Sequence, residues 1–354
     1  MTQGTPGFSI AGRPIGPGCP PYVVAEMSGN HNGDLGRALR LIEAARDAGA
    51  DAVKLQTYTA DTITIDHNGP GFVVEGGLWD GRKLHELYAE ASTPWEWHPT
   101  LFAKARELGI TAFSTPFDDS AVDFLESLDC PAYKIASFEL IDVPLVEKAA
   151  RTGKPLVMSV GMASPAEIEE ALAAARACGS GEIALLHCVS AYPAPAAEMN
   201  LRAIAGLAAR YGVVSGLSDH SMGVAVPVAA VALGAALIEK HFTLSRADGG
   251  PDSGFSLEAA ELAQMVESCR IAYAALGSAE PAAASSQEGS RTFRRSLYVV
   301  RDVAAGAPLT RENVRSIRPG FGLAPKLLPA VLGRTAARDL KRGDPLDWSM
   351  ISPA

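Results

Sequence analysis

The amino-acid sequence predicts an α/β chain: a closed (β/α)8 TIM barrel followed by a small C-terminal domain. Three observations carry this. Short runs rich in β-branched residues alternate with longer helix-like stretches through residues 1–276. Eight such runs can be counted, and a segment of small and polar residues then separates the remainder. Strands alternating with helices imply a parallel sheet, and eight units suggest that the sheet closes on itself. The 354 residues leave room for a second domain beyond a barrel of about 250. An open doubly wound sheet is the alternative, but no GxGxxG follows the first strand.

The predicted strands are Tyr22–Ser28, Ala52–Tyr58, Ile110–Pro116, Ala132–Ser137, Pro155–Val160, Ile183–Val189, Val213–Asp219 and Leu237–Thr243. Leu35–Ala48 and Pro165–Cys178 are among the helical stretches between them. Ser164 precedes Pro165 and Glu167 as an N-cap precedes a first helical turn. Gly49, Gly109, Gly153, Gly212 and Gly234 stand where helices end. Two segments break the pattern. Ala60–Pro94 is too long for a βα loop, and excursions of that length inside compact domains are usually functional. Gly277–Ser290 reads as an interdomain linker, which leaves 291–354 as the second domain.

Composition narrows the class. The chain is 47% hydrophobic and 20% charged, as in ordinary globular proteins. No run of apolar residues is long enough to span a membrane, and the N-terminus lacks the apolar core of a secretory signal. Five scattered cysteines without a CxxC pair read as buried thiols of a reduced, cytoplasmic protein. The net charge of −9 is uneven: from Gln287 onward 12 Lys and Arg face 6 Asp and Glu. A basic tail can bind nucleic acid, but no aromatic-basic recognition motif accompanies this one. A lid over an anionic substrate, or a tail docking on an acidic partner surface, is the sharper expectation.

The active site of a (β/α)8 barrel lies at the C-terminal ends of its strands. Polar residues gather there in nearly every unit. They are Glu26 and Ser28; Lys54 and Gln56, on one face of their strand; Ser114 and Thr115; and Lys134, Ser137 and Glu139. Ser159, Ser190, Tyr192, Ser218, Asp219, His220, Glu239, Lys240 and His241 complete the set. His220 and His241 end adjacent strands, so both imidazoles could reach one divalent ion. His31, in the loop after the first strand, is a further candidate. Lys54, Lys134 and Lys240 could be Schiff-base nucleophiles or anion partners. The hydroxyls beside them favour a cradle for a small, multiply charged anion.

These residues sit in segments that resemble the sialic acid synthases: EMSGNHNG at 26–33, KLQ at 54–56, STPF at 114–117, KIAS at 134–137 and SVGM at 159–162. HCVSAYP at 187–193, GLSDH at 216–220, EKHF at 239–242 and GPDSGFSLE at 250–258 continue the resemblance in order. NVRSIRPGFG at 313–322 looks like the antifreeze-like (SAF) domain that ends members of that family. The resemblance implies an enzyme that condenses phosphoenolpyruvate with an N-acetylated amino sugar. C3 of phosphoenolpyruvate attacks the sugar aldehyde, water adds at C2, and phosphate leaves by C–O cleavage. It implies that His220 and His241 bind Mn2+, with Mg2+ or Co2+ as alternatives, and that Glu26 handles protons or the attacking water. Lys54, Thr115, Lys134, Ser137, Ser159, Ser190 and Ser218 would surround phosphoenolpyruvate. Gln56, Glu139, Tyr192 and Asp252 would meet the sugar. A domain-swapped homodimer is implied, with Arg318 of RPGFG, held at a tight turn by its glycines, reaching a sugar amide in the other subunit. Neither nucleic acid nor membrane is an expected partner.

Within the family the chain looks most like the pseudaminic acid synthases, on Met27-Ser28, Gln56–Thr59, Thr93–His98 and Asp252–Ser256. Their sugar, 2,4-diacetamido-2,4,6-trideoxy-L-altrose, has a methyl and a second acetyl group that need apolar contact. Trp95, Trp97 and Phe255 are the expected suppliers. N-acetylneuraminate or legionaminate synthesis is the nearest alternative. A lysine-dependent aldolase and a binding protein centred on the SAF domain are more remote.

Overall fold

A computed structural model describes residues 7–278, 280 and 284–353. The chain divides into two compact units, Met1–Gly277 and Ser278–Ala354. The first opens with a hairpin, β1 (Phe8–Ile10) and β2 (Arg13–Ile15), which the sequence reading did not anticipate. Its inward side chains Ile10 and Ile15 are fully buried, so the hairpin belongs to the barrel core.

The eight expected strands follow: β3 (Tyr22–Glu26), β4 (Ala52–Thr57), β5 (Thr111–Pro116), β6 (Tyr133–Ile135), β7 (Leu156–Ser159), β8 (Ile183–Cys188), β9 (Val214–Asp219) and β10 (Leu237–His241). They form a closed parallel barrel in chain order, with β10 beside β3. Each strand is covered by side chains inside and helices outside. Its residues are therefore buried on both faces, and β3 and β10 are buried throughout. The predicted strands ran one to three residues long because the strand ends turn into loops that still carry apolar side chains.

Local chemistry ends the helices where the sequence suggested. Helix Leu35–Asp47 starts at Asp34, whose carboxylate accepts the Arg37 amide hydrogen. Helix Pro165–Ala177 starts in a capping box: the Glu167 amide donates to Ser164 Oγ, and the Ser164 amide donates to Glu167 at 2.7 Å. Gly109 ends helix His98–Leu108 at φ 70°, a left-handed conformation that glycine adopts without a Cβ clash. No helix among the described residues is long and apolar enough to cross a membrane.

The excursion over 60–94 is not a featureless loop. It contains helix Ala60–Ile63, a turn closed by a bridge between Val73 and Lys83, and helix Leu84–Ala91. It is docked on the segment after β3. Gly29 meets the Ala91 backbone so closely that a Cβ there would lie 3.0 Å from Ala91 Cα. His31 is fully buried and its Nε2 lies 3.2 Å from Thr93 Oγ1, while its Nδ1 accepts the Gly33 amide hydrogen at 3.1 Å. Burial pushes its imidazole down to about 4. His31 is thus a neutral clamp under the excursion.

The second unit carries β11 (Ser296–Val299) antiparallel to β12 (Val314–Ile317), around its own apolar cluster that includes Leu297, Leu309, Val331 and Leu346. The glycines after Arg318 serve close packing and not a left-handed turn. A Cβ on Gly322 would lie 2.2 Å from the Leu297 carbonyl oxygen, and its amide donates to Ser296 Oγ at 2.9 Å. The chain does bend and turn over 318–322 as expected, but neither Gly320 nor Gly322 has a positive φ. Arg318 itself is exposed. Gly322→Ala should therefore destabilise this unit by about 1–3 kcal/mol through overpacking. Chemical denaturation should show the loss in a separate early transition. An unchanged unfolding profile would refute the packing role.

Candidate active site

Side chains alternate across a strand, so every second residue of β3 to β10 points into the barrel. At the C-terminal end this brings Glu26, Lys54, Gln56, Thr115, Lys134, Ser159, Ser218, Glu239 and His241 to one place. The register makes neighbours of them: Glu26 stands opposite both Lys54 and His241, and Glu239 opposite Ser218.

The centre is an ammonium shared between two carboxylates. Lys54 Nζ lies 2.7 Å from Glu26 and 3.8 Å from Glu239, and donates to Thr115 Oγ1 at 2.9 Å. All three ionisable groups are buried. Gln56 donates to the other Glu26 oxygen at 2.9 Å, and Ser218 donates to Glu239 at 3.1 Å. Lys134 adds a second ammonium, donating to Ser159 Oγ at 2.6 Å and to the Ile135 carbonyl at 2.9 Å. The two carboxylates differ. Burial pushes Glu26 up to about 7 against the opposing pull of Lys54. Burial also opposes charge on Glu239, but Lys54 and Lys134 outweigh it and hold Glu239 below the usual carboxylate range. Glu239 is thus the fixed anion and Glu26 the group that can exchange a proton near neutrality.

The lysines separate in the same way. Burial lowers Lys134. It also works against Lys54, where Glu239 and Glu26 reverse the effect and keep the ammonium charged. Lys240 is a correction to the sequence reading: it points outward into the helix layer. There it is fully buried, pairs with Asp219 at 2.6 Å and donates to the Ser221 carbonyl. It takes no part in an anion cradle. The Asp219 side chain also accepts the Ser221 amide at 2.9 Å, so the pair clasps the turn that carries His220.

The rings of His220 and His241 lie with centroids 5.3 Å apart. Burial lowers both, so both are neutral at pH 7. His220 Nδ1–H donates to the Val189 carbonyl at 3.0 Å, which leaves Nε2 with a lone pair. His241 Nδ1 is buried without a hydrogen-bond partner, 3.7 Å from the Asp252 carboxylate. Two neutral imidazoles, one of them orphaned, fit part of a divalent-ion donor set. Among the described residues no group of three or more His, Cys, Asp and Glu completes such a site. The remaining positions would fall to water and substrate oxygens.

Two cavities meet here. A small inner one, about 70 Å³, is lined by Lys54, Thr115, Lys134, Ser137, Ser159 and Ser218, with both imidazoles. Ser190 is reached through Ser137, whose hydroxyl lies 2.8 Å from its own. An outer one, about 430 Å³, includes Gln56, Glu139, Tyr192 and Asp252 in its walls. Gln56, Phe117, Phe138, Tyr192 and His241 line both, which marks the junction. Asp252 accepts a hydrogen bond from Ser28, and burial pushes it up to about 6. Burial pushes Glu139 up to about 7. The barrel residues expected to meet phosphoenolpyruvate, the sugar and the ion therefore converge, whereas the strand-end candidates Ser114, Asp219 and Lys240 face away from both cavities. Arg318 belongs to the second unit.

Three expected apolar contacts fall elsewhere. Trp95 stacks on Phe124, and Trp97 packs against His31. Phe255 is buried behind the imidazoles, 4.8 Å from His241 and 5.3 Å from Tyr192 between ring centroids. The outer cavity is walled instead by Tyr58, Tyr88, Phe117, Phe138 and Trp79. Sequence reasoning missed these and undervalued Glu239. The i, i+2 relation of Glu239 to His241 was a usable signal for the latter. Trp79 and Tyr88 lie in the excursion, where no strand period points to the site. The five cysteines form no disulfide, and Cys19 and Cys178 are half-buried.

The comparisons agree with this geometry. The model of the NeuB family matches residues 41–281, and that of the SAF domain matches residues 294–352. A pseudaminic acid synthase of Helicobacter pylori is 45% identical over 92% of this chain and 96% of its own length. An N,N'-diacetyllegionaminic acid synthase of Legionella pneumophila is 35% identical over 96% of this chain and 97% of its own. The crystal structure of an N-acetylneuraminic acid synthetase from Leptospira borgpetersenii superposes with a TM-score of 0.73 at 32% identity, covering 82% of this chain and 96% of that one. With the barrel, the convergent strand ends and the C-terminal unit all accounted for, the chain belongs to the NeuB family and ends in a SAF domain.

Proposed function

We propose that the chain condenses phosphoenolpyruvate with 2,4-diacetamido-2,4,6-trideoxy-L-altrose to give pseudaminic acid and phosphate. The observation that carries this reading is the junction of a small cationic chamber with a larger apolar one at His241 and Tyr192. The inner chamber suits phosphoenolpyruvate: Lys54 and Lys134 supply charge, and Thr115, Ser137, Ser159 and Ser218 supply hydroxyl donors. The outer chamber suits an amino sugar whose aldehyde end faces the junction. The 45% identity to a protein named pseudaminic acid synthase, against 35% to one named for legionaminic acid, supports the choice of sugar.

In the reaction a C–C bond forms between C3 of phosphoenolpyruvate and the aldehyde carbon. Water adds at C2, and the C2–O bond to phosphate breaks. Glu26 is the proton carrier: it takes a proton from the water that adds at C2 and can return it to a departing or newly formed oxygen. Gln56 and Lys54 hold its two oxygens in place. His220 and His241 would hold a divalent ion, Mn2+ first and Mg2+ or Co2+ as alternatives. Such an ion would polarise the aldehyde as a Lewis acid. Gln56, Glu139, Tyr192 and Asp252 orient the sugar. Arg318 is proposed to reach a sugar amide carbonyl from the other subunit of a domain-swapped homodimer.

A Schiff-base aldolase is the second chemical reading. Lys54 is held as an ammonium, so Lys134 is its one candidate among the inward lysines. Borohydride with pyruvate should trap no adduct on Lys134.

The phosphate-release assay with a panel of amino sugars tests the function. The 2,4-diacetamido-6-deoxy altrose should be used at least about tenfold more efficiently than N-acetylmannosamine, or roughly 1.4 kcal/mol. Equal or better use of N-acetylmannosamine, or of the manno isomer that leads to legionaminic acid, would overturn the choice of sugar. For the ion, His220→Ala and His241→Ala should each lose bound Mn2+, read by elemental analysis, and lose turnover while keeping the wild-type circular dichroism. Full activity of either variant after exhaustive chelation would sink the assignment. For the proton carrier, kcat/KM should rise with pH through an apparent pKa near 7, because Glu26 must be ionised to act as base. Glu26→Gln should abolish that limb and cost roughly 10²–10⁴ in rate, with phosphoenolpyruvate still bound. Survival of the limb in this variant would assign it elsewhere, Glu139 being the next group to test.

A further inference from the structure

The outer cavity has two unlike walls. The wall built by the barrel and the loops that follow its strands sets the polar groups Ser28, Gln56, Glu139 and Asp252 among the rings of Tyr58, Phe117, Phe138 and Tyr192. The wall built by the excursion over 60–94 is apolar: Ile63, Val74, Trp79, Leu84 and Leu87. A sugar whose aldehyde lies at the junction therefore presents its far end to hydrocarbon. Hydroxyl groups on that end would lose water without gaining a partner, whereas a methyl group would lose nothing.

Trp79 is the fixed point of the apolar wall. Its Nε1–H donates to the Pro251 carbonyl at 2.8 Å, across to the segment that carries Asp252. Its ring packs on Tyr192 with centroids 5.3 Å apart. Tyr192 in turn lies 4.5 Å from His220 and lines both cavities. The indole is thus tied to the 251–252 segment by its one donor and to the junction by its ring, while the rest of it faces the cavity. A tryptophan held at both ends gives a wall of defined position, which discrimination between a methyl and a hydroxymethyl requires.

We propose that Trp79 is a specificity-determining residue that packs against the methyl-bearing end of the sugar and selects 6-deoxy over 6-hydroxy amino sugars. The proposal rests on the reading of the chain as an amino-sugar synthase and assigns the selection to one residue of the excursion. The discrimination is modest in kind, because an apolar pocket rejects an added hydroxyl by about 10²-fold at most.

The test measures phosphate release by the full chain with phosphoenolpyruvate and either the 2,4-diacetamido-6-deoxy altrose or N-acetylmannosamine. The wild type is compared with Trp79→Ala, Trp79→Phe and Ile65→Ala. Trp79→Ala should lower the ratio of kcat/KM for the two sugars by about tenfold or more, through the sugar KM, with the KM for phosphoenolpyruvate within about twofold of wild type. Trp79→Phe, which keeps a ring but loses the anchor to Pro251, should lower the ratio by about threefold. Ile65 is exposed on the same excursion and outside the cavity, so Ile65→Ala should keep the wild-type ratio. An unchanged ratio in folded Trp79→Ala overturns the proposal, as does an equal loss for both sugars. If Trp79→Ala does not fold, an unchanged ratio in Trp79→Phe overturns it instead. The wild type alone judges the proposed function. Should it prefer another amino sugar, that reading falls, and Trp79 is judged on the preferred sugar against its counterpart differing at C6. Loss of the preference in Trp79→Ala sustains the role, and its persistence ends it.

Discussion

One ammonium group, Lys54, sets the terms for the rest of the site. It lies between carboxylates from the strands on either side of the barrel seam, Glu26 on β3 and Glu239 on β10. Burying three charges costs free energy unless each finds a partner, and the cost of leaving one unpaired is larger still. Closing the barrel supplies the partners, since β10 comes beside β3 only when the sheet closes. The arrangement is also unequal. Glu239 has two ammonium groups and a serine hydroxyl in reach and stays ionised, while Glu26 is left near neutrality. A proton-exchanging group is thereby made from two carboxylates of the same kind by placement alone.

The alternation of side chains divides labour between the two faces of the same strands. Inward residues carry chemistry. Outward residues pin the strand ends that present them: Asp219 and Lys240 clasp the turn bearing His220, and Thr57, Ser114 and His98 form a buried hydroxyl–imidazole network outside β4 and β5. Residues adjacent in sequence, such as Glu239 and Lys240, therefore have unrelated roles. The excursion over 60–94 adds a third contribution. It is clamped at Gly29 and His31, and roofs a cavity that the barrel alone would leave open.

The sequence by itself determined the barrel. Eight β-branched runs alternating with helical stretches, polar residues gathered at the strand ends, the helix cap at Ser164 and the absence of a nucleotide-binding turn all follow from local rules that hold wherever the chain goes. Position at the strand ends identified nearly every inward polar residue, from Glu26 to His241, together with the outward Ser114, Asp219 and Lys240. What it could not decide was pairing. Lys54, Lys134 and Lys240 look alike in a list of strand-end lysines. Only the closed sheet separates an ammonium between carboxylates, an ammonium among hydroxyls and a buried prop in the helix layer. The apolar contacts for the sugar were sought at Trp95, Trp97 and Phe255 and lie instead at Trp79, Tyr88 and their neighbours. The physical reason is that a strand's period constrains where its own side chains point, whereas a long excursion has no period. Where its aromatic residues settle depends on the barrel surface it lands on, and tertiary packing alone decides that.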